Sequence, residues 1–397
     1  MTMLLIAWLS LLIWLVLLFG RGGFWRAQAL ERLSESTVHA VGQAEIARRG
    51  AWPAVVAIVP ARNEADVIGR AVSSLLAQDY AGSFHLIVVD DHSTDGTADA
   101  AQAAARDGGF EDRLTVLTAA PLPPGWSGKV WAQSQGIAAI DGLGFPADYL
   151  LLTDADIRHP ADAASQLVAR AILEDRDLVS LMVRLRCDST WEKALIPAFV
   201  FFFAKLYPFA WVNNVSSRTA AAAGGCMMVR RAALVEAGGI ESIRGELIDD
   251  CSLASRIKFR NGVNAARPIR LDLAGDSESL RPYDNWREVW NMIARTAFTQ
   301  LRYSALLLVG TVLAMCVIYL APPVLALTLG AKGWPAWLAW LAMCSAYSPM
   351  LRYYRRSILW APLLPVIALF YVSATVGSAI RFWRGKGGQW KARVQAP

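Results

Sequence analysis

Long apolar runs begin and end the chain, and they flank a central region of mixed polarity. Residues 1–20 contain no charged side chain, and a run of this length can cross a bilayer as a helix. The alternative is a cleaved signal peptide, in which basic residues precede the apolar run. Here Arg21 and Arg26 follow it. We therefore predict a membrane anchor over residues 1–20, with its C-terminal end in the cytoplasm, and a linker over residues 21–51.

Residues 303–383 form a second apolar region, which predicts further membrane segments. Pro322 and Pro323 interrupt its first run, which we expect either to bend there or to turn as a hairpin. The second run is short and rich in tryptophan, which is typical of a segment at the membrane interface. The three runs are residues 304–330, 334–350 and 358–380.

The basic tail, residues 384–397, leaves two topologies open. The positive-inside rule favours the cytoplasm for this tail and for the basic stretch at residues 352–356. Three complete crossings after Ser304 would instead leave the tail on the far side. The number of C-terminal crossings and the side of the tail therefore stay open.

Between these regions, residues 52–302 alternate short apolar runs with helical stretches. Such alternation predicts an α/β domain in which a mostly parallel sheet carries helices on both faces. Ligands of such sheets lie at the carboxyl ends of the strands. The predicted strands are residues 54–60, 84–91, 113–119 and 148–156, and the predicted helices are residues 64–77, 97–106 and 130–140.

Two acids, Asp154 and Asp156, follow the fourth predicted strand. Positions two apart on an extended chain share a face, so both carboxylates can reach one point. Hard carboxylate oxygens suit Mg²⁺ or Mn²⁺, which usually keeps waters and also binds substrate phosphates. The alternative is a solvated turn that caps a helix starting near Ala161.

A second acidic turn, Asp90 and Asp91, ends the second strand, and Arg62, Asn63 and Glu64 follow the first. An aspartate there could accept a hydrogen bond from a ribose hydroxyl or a uracil N–H. The alternatives are a turn of capping side chains and, for Glu64, an acid that stabilises a helix N-terminus.

The stretch at residues 124–129, "PGWSGK", offers Gly128 for close approach of the backbone and Lys129 as a positive charge for a phosphate. A solvated loop lysine is the alternative of equal weight.

Composition adds a membrane setting to this α/β pattern. Of the 397 residues 55% are hydrophobic and only 18% charged, whereas soluble proteins average about 25% charged residues. The net charge is +6, but the basic residues lie beside apolar runs, which indicates membrane topology rather than nucleic-acid binding. The five cysteines lack metal-ligand spacing and are expected to be free thiols in a reducing compartment.

Four motifs in this order resemble the family 2 glycosyltransferases, which have the GT-A nucleotide-sugar-binding fold: "VPARNE" (59–64), "VVDDHSTDGT" (88–97), Gly128-Lys129 and "LLTDAD" (151–156). The resemblance covers about residues 53–300. It implies that Asp154 and Asp156 bind a divalent metal, Mg²⁺ or Mn²⁺. The donor-binding residues that it implies are Pro60, Arg62, Asn63, Glu64, Asp90, Asp91, Lys129 and Asp154.

The membrane arrangement, the "PGWSGK" loop and "ARTAFTQLRYS" (294–304) are similar to the bacterial hopene-associated glycosyltransferases. Only Arg295 matches the Q-x-x-R-W motif of many membrane members, because Met292 and Thr296 replace its Gln and Trp. This departure weakens the case for processive polymer synthesis and leaves Arg295 as an acceptor-side candidate.

The resemblance also extends to two later segments. "GGCMMVRR" (224–231) resembles the acceptor-side segment, where Gly224 and Gly225 let substrate approach the backbone. "ELIDDCSLASRI" (246–257) resembles the acidic pair of the family, with Asp250 as catalytic base and Asp249 at the preceding Glu position. The alternative for both acids is a helix N-cap.

The resemblance thus implies an inverting, metal-dependent glycosyltransferase with a nucleotide-diphosphate donor, for which we expect a UDP-sugar. Residues 194–212 are apolar and aromatic but contain two prolines and Lys205, so we predict an interfacial helix, with buried core as the alternative. A lipid acceptor would suit such a segment, and the subgroup resemblance implies that this lipid is related to hopanoids. We expect a multi-pass protein of the bacterial cytoplasmic membrane, with a cytoplasmic catalytic domain and neither nucleic-acid nor protein partner. A nucleotidyltransferase and a non-catalytic membrane scaffold are the competing hypotheses.

Overall fold

The structure is a computed structural model that describes residues 1–144, 147–260, 267–385, 387, 389–390 and 393–394. Much of the predicted tail, residues 384–397, lies outside the described residues. The chain divides into two compact units. We call them the helical unit (residues 1–28, 186–211 and 282–389) and the sheet unit (residues 29–185, 212–281 and 390–397). The predicted catalytic region, residues 52–302, thus contributes to both units.

Eight strands of the described chain form the main sheet, in the order β3-β2-β1-β4-β7-β6-β8-β5. These strands are β1 (Val55–Ala61), β2 (Phe84–Asp90), β3 (Leu114–Thr118), β4 (Tyr149–Leu152), β5 (Ile157–Arg158), β6 (Leu178–Arg184), β7 (Met227–Arg230) and β8 (Ile269–Ser279). Two short strands, β9 (Gln389–Trp390) and β10 (Arg393–Val394), pair separately.

The main sheet is mixed, which corrects the prediction of a mostly parallel sheet. Strands β3, β2, β1 and β4 are parallel, as predicted. Strand β7 is antiparallel to both β4 and β6, β6 is parallel to β8, and β5 is antiparallel to β8. Short buried runs such as β6 and β7 carry no local signal of strand direction, so this half of the sheet did not follow from the sequence pattern.

Fifteen α-helices lie within the described ranges, and the predicted helices of the α/β region are confirmed to within two residues at their N-terminal ends. They are α1 (Thr2–Gly20), α2 (Glu35–Arg49), α3 (Ala65–Leu76), α4 (Thr97–Gly108), α5 (Gly128–Ala139), α6 (Ala163–Leu173), α7 (Thr190–Leu206), α8 (Phe209–Val212), α9 (Arg231–Glu236), α10 (Asp249–Lys258), α11 (Trp286–Gln300), α12 (Ala305–Met315), α13 (Ala321–Leu329), α14 (Trp334–Tyr353) and α15 (Leu364–Trp383).

The core of the sheet unit follows from the alternation of apolar positions. Val55, Ala57 and Val59 of β1 share one buried cluster with Ile68 and Leu75 of α3, which recur at helical spacing. Because β1 pairs in parallel with β2 and β4, the polar turns that follow these strands lie at the same end of the sheet.

The predicted linker, residues 21–51, contains a helix. Ser34 begins α2 by accepting a hydrogen bond from the Thr37 N–H (3.2 Å), and Gly50 ends it in the left-handed conformation (φ +84°). Arg49 of α2 forms an ion pair with Asp148 at 2.6 Å, which fastens the helix to the segment before β4.

Four helical segments of the described chain are long and apolar enough to cross a membrane by length and composition: Thr2–Gly20, Thr190–Val212, Ala305–Tyr353 and Ile358–Trp383. The first and last coincide with runs predicted as membrane segments. The second contains the predicted interfacial stretch, and its position in a membrane stays a prediction.

The proline pair does not turn the first C-terminal run, because helix continues through it. A π-helical turn (Cys316–Leu320) joins α12 to α13, and the prolines lie in the first turn of α13. Pro322 has no N–H to donate to the Ile318 carbonyl, four residues earlier. Trp14 Nε1 donates to this carbonyl instead (2.8 Å). The chain turns instead at Gly330 (φ +56°), since Ala326 packs with Ala336 beyond it. Of the two alternatives for this run, the hairpin at the prolines is therefore wrong.

Candidate active site

Six of the predicted donor residues lie near the ends of β1 and β2 or in the turns that follow, and hydrogen bonds join these two turns. Pro60 lies buried within β1, opposite Val89 of β2. Arg62 donates to the backbone carbonyl of Asp91 and lies 3.4 Å from its carboxylate. Asn63 has a left-handed backbone (φ +50°), and its side-chain oxygen accepts from the Thr94 N–H (3.0 Å). These contacts give the two turns one fixed arrangement.

Asp90 has a carboxylate oxygen without a partner among the described residues. Its Oδ2 accepts a hydrogen bond from the Ser93 N–H (3.2 Å), whereas its buried Oδ1 accepts none. Leaving a buried acceptor unsatisfied costs free energy, about 1–3 kcal/mol. A ligand hydroxyl or N–H could satisfy this oxygen. The capping-turn alternative explains Oδ2 but not Oδ1.

Lys129 lies at the centre of a second cluster. It lies in the first turn of α5, and its Nζ lies 2.8 Å from Asp154 Oδ1 and 3.2 Å from Asp249 Oδ2. Its side chain is 17% exposed, so the solvated-loop alternative is wrong. Burial alone would lower the pKa of Lys129, but the carboxylates of Asp154 and Asp249 raise it above its ordinary value. Lys129 is therefore a permanent positive charge in this cluster.

Asp250 and Gly224 complete the cluster. Asp250 Oδ2 accepts from the Gly224 N–H (2.9 Å), and Oδ1 accepts from the Cys251 N–H (2.7 Å). A Cβ at Gly224 would lie 2.9 Å from Lys129 Nζ, so a side chain at this position would require the lysine ammonium to shift. Gly225 has a different role, because a Cβ there would lie 2.9 Å from the Val183 side chain. It is a packing glycine of the sheet.

The pKa of Asp250 is raised to about 6. Burial of the carboxyl is the largest cause, and the negative charge of Asp249 adds to it, whereas Lys129 opposes both. A carboxylate with a pKa near the working pH is suited to removing a proton from a hydroxyl group. The two acids do begin α10, but Asp250 takes up only one N–H of that helix, so an N-cap alone does not account for it.

Asp156 is held by residues that the sequence pattern did not identify. Its Oδ2 accepts from Ser279 Oγ (3.0 Å) and from Arg281 Nε (3.1 Å). Arg281 also forms an ion pair with Glu64. Glu64 is thus more than an acid at the start of α3. Ser279 and Arg281 lie at and just after the end of β8, and this position is the only signal that could have identified them.

Each predicted metal ligand is therefore paired with a cation, Asp154 with Lys129 and Asp156 with Arg281. No group of three His, Cys, Asp or Glu side chains suited to a metal occurs within the described ranges. Two carboxylates are nevertheless the hard oxygen donors that Mg²⁺ and Mn²⁺ prefer, and such ions commonly take their other ligands from phosphates and water. The donor chemistry at Asp154 and Asp156 fits such an ion.

Arg295 lies outside the sheet unit. It is an exposed residue of α11 in the helical unit. The structure brings Lys129, Asp154, Asp249, Asp250 and Gly224 together, but it does not assign Arg295 to that cluster.

Residues 56–238 match the family model described as glycosyl transferase family 2. No curated protein sequence matches the chain significantly.

Solved structures are similar at low sequence identity. A mannosyltransferase from Pyrobaculum calidifontis, in complex with GDP-Man and Mn²⁺, is 18% identical, with 98% of this chain and 100% of that chain covered and a TM-score of 0.50. Glucosyl-3-phosphoglycerate synthase from Mycobacterium tuberculosis, in complex with Mn²⁺, UDP and its product, is 20% identical, with 70% and 87% covered and a TM-score of 0.43. The family match and the first likeness support the GT-A glycosyltransferase fold, here with a mixed sheet.

Proposed function

We propose that the chain is a membrane-bound, inverting glycosyltransferase that moves a sugar from a nucleotide-diphosphate donor, a UDP-sugar, to a lipid acceptor. The observation that carries this proposal is the cluster in which Lys129 lies between Asp154 and Asp249, with Asp250 beside the Gly224 backbone. It joins a fixed positive charge to a carboxylate of raised pKa, which are the two groups that such a transfer needs.

Asp250 is the proposed base. It takes the proton from the acceptor hydroxyl while that oxygen forms a bond to the anomeric carbon of the sugar. The bond from that carbon to the diphosphate breaks on the opposite face, which inverts the configuration. Lys129 stabilises the negative charge that develops on the departing diphosphate. The turns carrying Arg62, Asn63 and Asp90 would bind the nucleotide.

Asp154 and Asp156 are the residues that would hold Mg²⁺ or Mn²⁺. The ion, when bound, supplies Lewis-acid stabilisation of the diphosphate. For Asp156 to serve as a ligand, its ion pair with Arg281 must be rearranged or shared. This requirement gives Arg281 a part in how the donor site is assembled.

The proposal of a lipid acceptor rests on the helical unit, whose long apolar helices suit the bacterial cytoplasmic membrane. The catalytic domain would lie on the cytoplasmic side of that membrane. The proposal that this lipid is related to hopanoids rests on the subgroup resemblance alone. Arg295 remains a candidate for the acceptor side.

The test is transfer by the purified full-length chain. Radiolabelled UDP-glucose, UDP-N-acetylglucosamine or GDP-mannose is incubated with Mg²⁺ or Mn²⁺ and total bacterial lipid, and the organic phase is counted. Label should enter the organic phase and should fall to background with EDTA. Pyrophosphate exchange into the nucleotide, without labelled lipid, would instead favour a nucleotidyltransferase and overturn the proposal.

A further inference from the structure

Two cations lie together at the C-terminal ends of α1 and α7 in the helical unit. Arg21 directly follows α1, and Lys205 lies in the last turn of α7. Arg21 Nε donates to the carbonyl of Lys205 (3.1 Å), and its Nη2 donates to the carbonyl of Leu206 (3.3 Å). The two helix ends therefore lie at the same level.

The direct contacts that the structure describes for the Lys205 ammonium are a phenol hydroxyl and two aromatic rings. Its Nζ donates to Tyr319 Oη at 2.8 Å and lies 4.7 Å from the centre of that ring and 5.3 Å from the Phe202 ring. The Arg21 guanidinium lies 5.1 Å from the Trp211 ring. In the part of the chain that the structure describes, neither cation has a carboxylate within ion-pair distance.

Capping of helix ends accounts for Arg21 but not for Lys205. A cation near a helix C-terminus is stabilised by the helix dipole, and Arg21 bonds two of the last carbonyls of α7. The Lys205 ammonium reaches a phenol hydroxyl instead. A half-buried positive charge among aromatic rings is costly unless an anion or water completes its surroundings.

The neighbouring surface is apolar. Phe19 is 83% exposed and Leu206 is 48% exposed, on the last turn of α1 and the last residue of α7. Gly22 lets Trp211 approach, because it has a left-handed backbone (φ +60°) and a Cβ there would lie 2.8 Å from the indole nitrogen. Exposed apolar helix ends with cations and a tryptophan at the same level are typical of the headgroup layer.

We propose that Arg21 and Lys205 form a binding site for the phosphate group of an anionic lipid. The aromatic rings of Trp211, Tyr319 and Phe202 border the site, and the exposed apolar residues beside it lie against the acyl chains. This inference rests on the membrane location in the proposed function, but not on sugar transfer. It adds a phosphate-bearing lipid to the ligands of the chain.

The experiment measures binding of fluorescently labelled phosphatidylglycerol and phosphatidylcholine to the full-length chain in neutral detergent, without any sugar donor. Phosphatidylglycerol should bind at least about tenfold more tightly. Lys205→Met and Arg21→Met should each weaken phosphatidylglycerol binding about tenfold, because each removes a charge-assisted hydrogen bond. Lys205→Arg should restore most of the affinity, and Lys332→Met, which removes an exposed charge of the same unit, should change nothing.

Equal affinity for the two lipids, or unchanged binding in a folded Lys205→Met, would overturn the inference. Inorganic phosphate serves as the competitor that separates the two sources of phosphate. Displacement only at concentrations far above that of the lipid supports a lipid site, whereas equal affinity would assign a free-phosphate site instead. The wild-type comparison of the two lipids holds even if a variant does not fold. Asp250→Asn should retain lipid binding, so failure of sugar transfer is distinguishable from failure of this site.

Discussion

In the sheet unit, cations and carboxylates pair with one another near strand ends, whereas in the helical unit several buried polar side chains bond the backbone. Lys129 with Asp154 and Asp249 is an example of the first pattern. Tyr371 in the helical unit donates to the Leu195 carbonyl (2.8 Å), an example of the second. The first pattern places charged groups where a ligand can bind. The second gives hydrogen-bond partners to backbone groups of helices in apolar surroundings. Substitutions in the two units should therefore affect different measurements.

The largest expected effect is that of Asp250→Asn. Amide nitrogen cannot accept a proton, so turnover should fall about 10²–10⁴-fold. Donor affinity should stay near that of the wild type, because the base acts on the acceptor hydroxyl. Turnover and calorimetric binding of the nucleotide sugar measure the two effects. Asp107→Asn, at an exposed position of α4, is the matched control. A collapse of donor binding would show that Asp250 binds the nucleotide.

Lys129→Met tests the central charge of the sheet unit. Loss of this cation leaves Asp154 and Asp249 without their shared partner and removes stabilisation of the departing diphosphate. We expect kcat/KM to fall about 10²-fold, with weaker donor binding. Lys129→Arg keeps the charge and should lie between the wild type and Lys129→Met. If Lys129→Met retained full activity, the cluster would be structural.

Glu192→Ala tests the helical unit. Glu192 is completely buried and accepts hydrogen bonds from the N–H groups of Asp188, Ser189 and Tyr283, at 2.7–2.8 Å. Removing the carboxylate leaves three backbone N–H groups without their hydrogen-bond acceptor. This loss should destabilise the fold by about 3 kcal/mol. Thermal unfolding in detergent measures this loss, and Glu111→Ala, an exposed site, is the control. An unchanged unfolding temperature would mean that water replaces the carboxylate at no cost.

The pH dependence should follow the raised pKa of Asp250, which is about 6. Only its carboxylate form accepts a proton, so kcat/KM should fall about tenfold per pH unit below that value. The sign for stability is opposite. A raised acid pKa contributes stability below the ordinary value of 3.8, and this contribution is lost as the pH rises through about 6. Asp249→Asn removes a negative neighbour and should move the acidic limb of the rate profile to lower pH.

Local patterns predicted β1, β2 and β4 and the acids that follow them, because strand alternation and turn chemistry depend on neighbouring residues. They did not predict the ion pairs of Arg281, which join β8 to Glu64, 217 residues earlier in the chain. The contact of Trp14 with the Ile318 carbonyl spans 304 residues and was missed for the same reason. Long-range partners of this kind depend on strand order and helix packing, which apolar periodicity does not encode.

The smallest expected effect is that of Ser378→Ala in α15. Its hydroxyl donates to the Ala294 carbonyl (2.6 Å) and accepts from the Phe298 N–H (3.1 Å), two groups of α11 that are four residues apart. In a regular helix these two groups bond directly, so removing the hydroxyl allows that bond to form. The loss of stability should stay below about 1 kcal/mol, measured by thermal unfolding beside Glu192→Ala. Gly377→Ala is the contrasting variant, because a Cβ there would lie 2.8 Å from the Trp290 ring and should cost about 1–3 kcal/mol. If Ser378→Ala proved as costly as Glu192→Ala, the stability of the helical unit would depend on hydrogen bonds between helices rather than on the backbone hydrogen bonds within each helix.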